Sequence, residues 1–391
     1  MNFGFLQTRT ARKFLRNKLA LGASFIIAIY FVFAALVMCG LITLPQTEER
    51  IGPKHIPGFY GHARPEVRLE QVASYFEKVE IALDSTSPEA TLAEIKFGEL
   101  RVANKSLEEL RQIVDDGWVF YDELTEQENL DVSPNVIPMI EKFEQKKAEL
   151  FAPMTDFQAT KQMIYLSLGT DRQGRSIALR AIYSIKVAFQ IGAVTSLISV
   201  LMGSFLGAAA AFFGGWVDHV VIWLYSTFSS VPNLVLLVVL AYTFSGTMFD
   251  GTLVPVYVSF CMTFWIGPCR VIRGETLKIK ELEYVHAARA MGFNRVYILL
   301  RHIIPNTAHL MLVNFSLLFI GAIKSEVILS FLGLGVKKGP SWGIMISQAK
   351  SEVITGYFWQ IGTATIFMVG LVLAFNILTD ALQDILDPKH V

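Results

Sequence analysis

Six stretches of the chain run without a charged residue for about as long as a helix needs to cross a bilayer, roughly 20 residues. Leu19–Leu44 supplies 26 and Val187–Val217 supplies 31, and His219–Phe249 is as long; Gly251–Cys269 has 19, His302–Ile323 has 22 and Val353–Thr379 has 27. The two longest exceed an upright crossing and must tilt, bend or continue into the interface. Pro232, within Ser229–Asn233, predicts a kink in the third run. The first run is too long for the apolar core of a signal peptide and no small-residue cleavage site follows it, so it reads as a retained span.

Between the first two runs the pattern changes. Leu69, Val72, Ala73, Phe76, Val79 and Leu83 recur at helical spacing. Ser106 and Glu109 form a capping box ahead of Leu107, Leu110 and Ile113. Ile137, Ile140, Phe143 and Leu150 mark a further amphipathic helix, and Ile95, Phe97 and Val102 fit a short strand. An α+β unit is expected there, with a helical spacer as the alternative.

Composition sharpens this division. Of 391 residues, 53% are hydrophobic and 17% charged, against about 25% charged in soluble domains. The 34 bases and 34 acids cancel, yet Gln46–Tyr165 carries 23 acids and 13 bases, and the remainder 11 acids and 21 bases. The zero is a cancellation between a −10 and a +10 portion, which excludes a uniformly basic nucleic-acid binder. Short basic flanks orient membrane spans. Arg9, Arg12, Lys13, Arg16 and Lys18 place the N-terminus in the cytoplasm, and with six spans the seven bases between Arg270 and Arg301 fall on the same side. The C-terminus then returns to the cytoplasm, and residues 46–165 lie outside. Trp216, Trp223, Trp265 and Trp359 are expected on lipid-facing or interfacial surfaces.

Chemistry-bearing motifs are scarce. Cys39, Cys261 and Cys269 form no C-x-x-C pair and read as small hydrophobes. There is no G-x-x-x-x-G-K-[ST] loop, nucleophile elbow, H-E-x-x-H or zinc spacing, so no catalytic, cofactor or metal residue is expected. The informative segment is Glu281–Arg301, a helix ending at Gly292 and a second amphipathic stretch carrying Val296, Leu299 and Leu300, with Pro305 opening the next span. Such a helix–turn–helix lies on anionic lipid or docks a soluble partner.

The spacing of that segment resembles the EAA loop of ATP-binding-cassette importer permeases: E-A-A, three residues, G, nine residues, then I-x-L-P. Here His286-Ala287-Ala288 is followed by Gly292 and, nine residues on, by His302–Pro305; His286 stands at the glutamate position and Ile304 at the leucine. Leu168-Gly169-Thr170-Asp171 with Gly174-Arg175 resembles the L-G-T-D-x-x-G-R signature of the dipeptide/oligopeptide/nickel branch, with Ser176 in place of its usual Asp. Glu326 with Ser330–Gly335 and Pro340–Gly343 resembles its E-x-x-x-S-F-L-G-L-G…P-S-W-G stretch. Leu373–Asn376 and Leu386–Pro388 resemble its C-terminal end. The resemblance covers residues 1–45 and 166–391 and leaves 46–165 as an insertion.

The resemblance implies an all-α polytopic membrane protein of the type I importer fold: a first span in 1–45, an extracytoplasmic insertion in 46–165 and a six-helix permease completed by 166–391. It implies a bacterial inner-membrane subunit without enzymatic activity, in a heterodimer with a sister permease. Two ATPase subunits that hold ATP and Mg would dock on the coupling loop 281–305, through His286, Ala287, Ala288, Gly292 and Pro305. An extracytoplasmic binding protein would deliver substrate, most readily a peptide, with nickel or another small solute as the alternative. Lys324, Glu326, Gly333 and Gly335 are candidate pathway or gate residues, set against a rim contact or a tight chain reversal. Asp171 and Arg175 are candidates for an extracytoplasmic contact, set against caps or solvated charges. A membrane-anchored ligand sensor is the reading from another class.

Overall fold

Inside hydrocarbon every backbone N–H and C=O must find a partner within the protein, so spans are helices. The computed structural model describes residues 17–52, 54–59, 62–97, 100–126, 136–244 and 246–386. The expected orienting bases before Lys18 and the end Asp387–Val391 lie outside the described residues. The chain divides into two compact units: Met1–Leu41, Ile182–Ser347 and Ala364–Val391 form one, and Ile42–Ala181 with Gln348–Thr363 forms the other.

Among the described residues five helices are long and apolar enough to cross a membrane: Lys18–Met38, Ile177–Phe213, Val254–Ile279, Arg295–Phe331 and Trp359–Asp384. A sixth candidate is the pair Gly215–Ser229 and Asn233–Thr243, bent by 89°. The bend falls at the expected Pro232, which caps the second half and accepts a 3.1 Å bond from the Leu236 N–H. At 1.5 Å per residue, the 37 residues of Ile177–Phe213 extend well beyond a hydrocarbon core of about 30 Å.

Pro305 does not open its span, contrary to the sequence expectation, since the apolar helix runs on from Arg295. Proline cannot donate to the carbonyl four residues back and crowds it. The helix absorbs this with a π turn at Leu299–Ile303 and a 3₁₀ turn at Pro305–Thr307. The Ile304 N–H reaches back to the Leu299 carbonyl at 2.9 Å, and the Asn306 side-chain amide donates to the His302 carbonyl at 2.5 Å.

Two membrane helices meet through glycine. A Cβ on Gly203 or Gly207 would stand 2.3 Å from the carbonyl oxygen of Trp265 or Cys269, so the helix Ile177–Phe213 touches Val254–Ile279 backbone to backbone. Trp265 is buried there with Ala210, Val221 and Cys269, which corrects its expected lipid-facing place. Trp216 and Trp223 are exposed, as expected.

In the other unit the helix Pro65–Leu83 buries all six apolar positions singled out from its spacing. It packs against Leu107–Thr125, with the expected capping box at Ser106, and against Val136–Glu149. Phe76 stacks on Phe143 at 4.9 Å between ring centroids. Ile137 is exposed and Val136 takes the core position, a shift of one residue from the expected face. The only ladder among the described residues is a two-residue antiparallel pair, Lys96–Phe97 with Leu100–Arg101, and Val102 bridges Phe151.

Replacing Gly207 with leucine should separate the two glycine-packed helices, because the obstruction is backbone that cannot move aside. Overpacking of this kind costs about 1–3 kcal/mol or more. The expected outcome is a lower midpoint of thermal aggregation for the detergent-solubilised variant, while Gly267→Ala, where a Cβ meets nothing within 4 Å, unfolds as the parent does.

Candidate functional site

The segment expected to dock a partner begins with the helix Glu283–Ala290 and turns at Gly292, whose φ of +81° suits glycine and disfavours any residue with a Cβ. Asn294 then caps the next helix, its side-chain oxygen accepting from the Val296 N–H at 3.0 Å. Val285, Ala288, Ile298, Leu299 and Ile303 are buried against Ala208, Phe212, Ile272 and Ile279. The segment is therefore bolted to one end of each of two membrane helices as well as to its own.

Of the residues expected to dock a partner, His286 and Ala287 face outward, Ala288 faces inward, Gly292 makes the turn and Pro305 shapes the π and 3₁₀ turns. The His286 Nε2 lies 3.7 Å from a Glu281 carboxylate oxygen, both side chains exposed. Val296 and Leu300, singled out from the sequence, are exposed, and sequence reasoning missed the rest of the apolar surface around them: Leu282, Tyr284, Met291, Phe293 and Tyr297 are exposed as well. Phe293 stacks on Tyr297 at 5.1 Å, and the Tyr284 hydroxyl accepts from Asn306 at 3.0 Å. The available signal was the density of aromatics in a basic loop.

At the other end of Arg295–Phe331, Glu326 is buried and Lys324 exposed. Two residues apart on a helix, they face different ways. The Ser330 hydroxyl donates to the Glu326 carboxylate at 2.6 Å and accepts from the Val336 N–H at 3.1 Å. Gly335 lies so close that a Cβ would stand 2.1 Å from the Ser330 oxygen, while Gly333 turns the chain at φ +80° with open space around it. Glu326 and Gly335 thus meet at one seam, and Lys324 stands apart from it.

Asp171 and Arg175 turn inward, not toward solvent. Asp171 accepts from the Gln173 and Arg175 N–H groups at 2.9 and 3.0 Å, from Arg175 Nε at 2.8 Å and from Arg180 Nη1 at 2.6 Å. Arg175 also pairs with Glu48, and both arginines donate to Gln348. Nearby, Ser176 accepts from the Leu179 N–H at 3.1 Å. Its hydroxyl thus caps the start of the helix Ile177–Phe213. Glu352 accepts from the Arg172 N–H at 2.9 Å. Its burial pushes the carboxyl above the ordinary glutamate range, opposed by that hydrogen bond, which lowers it.

Two predictions follow from these contacts. Because the folded chain holds the Glu352 proton to higher pH than the unfolded chain, this group's stability contribution is fully present below the unfolded value. It is lost as pH rises through the folded one. Glu352→Gln keeps the acceptor and removes the charge, so its unfolding midpoint should gain on the parent near neutral pH and the gap should close below about pH 4. Glu326→Ala should free the 332–341 turn and accelerate its cleavage by protease in the solubilised protein, whereas Glu326→Gln, still an acceptor for Ser330, should leave cleavage near the parent rate.

Comparison with known proteins places this architecture. Residues 199–390 match the family model described as the binding-protein-dependent transport system inner membrane component. The chain is 32% identical over 222 residues to the dipeptide transport system permease protein DppC of Bacillus subtilis, covering 56% of this chain and 68% of that protein. It is 34% identical over 224 residues to the glutathione transport system permease protein GsiD of Pectobacterium atrosepticum, covering 57% and 72%. With the oligopeptide transport system permease protein OppC of Haemophilus influenzae it shares 32% over 226 residues, 58% and 71% of the two chains. The chain belongs to the family of binding-protein-dependent transport system inner membrane components and is a multi-pass permease subunit of an ATP-binding-cassette importer.

Proposed function

We propose that this chain forms half of the translocation path of a peptide importer, paired with a sister permease and driven by two ATPase subunits that dock on 281–305. The exposed apolar and aromatic surface of that segment, carried on a buried anchor, supports the docking reading most directly. Exposed patches of this kind mark protein interaction sites. Val285 and Ala288 share one core with Phe212 and Ile272, so a displacement of the docked loop would pull on three membrane helices together. That is the coupling a rigid-body switch to alternating access requires. ATP and Mg would be held by the ATPases, and an extracytoplasmic binding protein would deliver the peptide. The peptide assignment is supported by relatives named for dipeptide, oligopeptide and glutathione transport.

In this reading the bent pair Gly215–Ser229 and Asn233–Thr243 counts as one crossing. Six spans then complete a type I importer fold with both termini cytoplasmic and residues 46–165 extracytoplasmic. Asp171 and Arg175 fasten that outer unit internally. Glu326 and Gly335 hold the 332–341 turn, and Gly333 lets it reverse.

The docking surface is tested by Phe293→Asp and Tyr297→Asp in the complete transporter. Each should abolish ATP-dependent uptake of a labelled dipeptide in proteoliposomes while the subunit stays in the membrane and assembled with its sister. Uptake at the parent rate would remove the segment from the coupling path.

A further inference from the structure

The break in the third crossing opens onto a cavity of about 570 Å³, within the size range of small-molecule sites. Its walls come from the middle of three membrane segments: 228–236 at the break, 263–270 within Val254–Ile279, and 318–325 within Ala308–Phe331. Ser229, Asn233, Thr263, Arg270 and Ser325 bring polar groups to it. Arg270, counted above with the cytoplasmic flank of its span, lies within the helix Val254–Ile279, where its exposed guanidinium is open to an anionic partner.

Arg270 is the residue that stands out. One turn along the same helix, Arg273 is neutralised by Asp218 through two hydrogen bonds of 2.7 Å. Arg270 donates instead to the neutral Ser229 hydroxyl at 2.7 Å and lies 4.8 Å over the Tyr225 ring. Among the described residues no carboxylate forms an ion pair with it. A guanidinium fork matches a carboxylate with two parallel bonds, and such charge-assisted bonds are about twice as strong as a bond to a neutral hydroxyl. An incoming carboxylate would therefore displace Ser229 as the partner of Arg270.

We propose that this cavity is a substrate subsite on the transport path, in which Arg270 binds the carboxylate of the passing peptide. The inference rests on the peptide reading above and adds to it the group recognised inside the membrane. Asn233 and Ser325 are placed to exchange hydrogen bonds with peptide amides.

The test is uptake of labelled alanyl-alanine and of its C-terminal amide by the complete transporter in proteoliposomes, with the same binding protein throughout. The binding protein's own preference then cancels between variants. Arg270→Gln should lower uptake of the free acid by about tenfold or more, the usual effect of losing a charge-assisted bond, and leave the amide at the parent rate. Ser229→Ala should keep the parent's preference. Equal loss of acid and amide, or no loss of either, overturns the subsite. A Ser229→Ala variant that behaves as Arg270→Gln overturns it too, because the arginine then serves only to latch the two helices. Loss confined to vesicles containing anionic lipid assigns Arg270 to a lipid headgroup and likewise overturns it. A parent transporter that moves neither dipeptide refutes the peptide reading itself, a result separate from any behaviour of the variants.

Discussion

Satisfaction of the backbone inside hydrocarbon is the constraint on which the rest of this structure depends. It forces each crossing into a helix, so that every departure from a helix must be repaired locally. Three departures among the described residues show the repair. At Pro232 the chain bends by 89°, and Ser230 closes the first half by donating its N–H to the Ser226 and Thr227 carbonyls. At Pro305 the chain passes through π and 3₁₀ turns, and the Asn306 amide donates to the His302 carbonyl. Beyond Phe331 the Leu334 and Gly335 N–H groups both return to the Leu329 carbonyl.

These repairs explain how a largely apolar chain can be stiff and yet hinged. Glycine contact at Gly203 and Gly207 fixes Val254–Ile279 against Ile177–Phe213, and the Asp218–Arg273 pair ties the start of the bent crossing to that same helix. The segment 281–301 is packed onto one end of each. In the proposed coupling a push on that segment would be delivered to helices and taken up at their breaks. The cavity opens at one of them.

The family accounts for the permease portion, while residues 46–165 lie wholly outside the matched region 199–390. Their compact unit has its own core around Phe76 and Phe143. It also takes in 166–181 and 348–363, which meet through the two arginines on Gln348 and through Glu352. The −10 of this stretch is a solvated acidic surface over an apolar centre, with Arg68 inside it paired to Glu144 at 2.8 Å.

The sequence by itself determined the number and place of the apolar runs, the kink at Pro232, the core face of Pro65–Leu83 and the turn at Gly292. Each of these is a local consequence of hydropathy, helical period or a single residue's backbone preference. It also marked out the segment 281–301 as a helix–turn–helix, because spacing along one chain is a one-dimensional property. Only the tertiary structure decided that Trp265 is buried, that Asp171 and Arg175 turn inward, and that Pro305 lies within a helix and does not begin one. It alone separated Arg270 from Arg273, since the partner of each is set by a residue 41 or 55 positions away. Those outcomes depend on which surfaces meet across large separations in the chain, where backbone contact at glycine and the pairing of charges outweigh anything a residue's neighbours in sequence prefer.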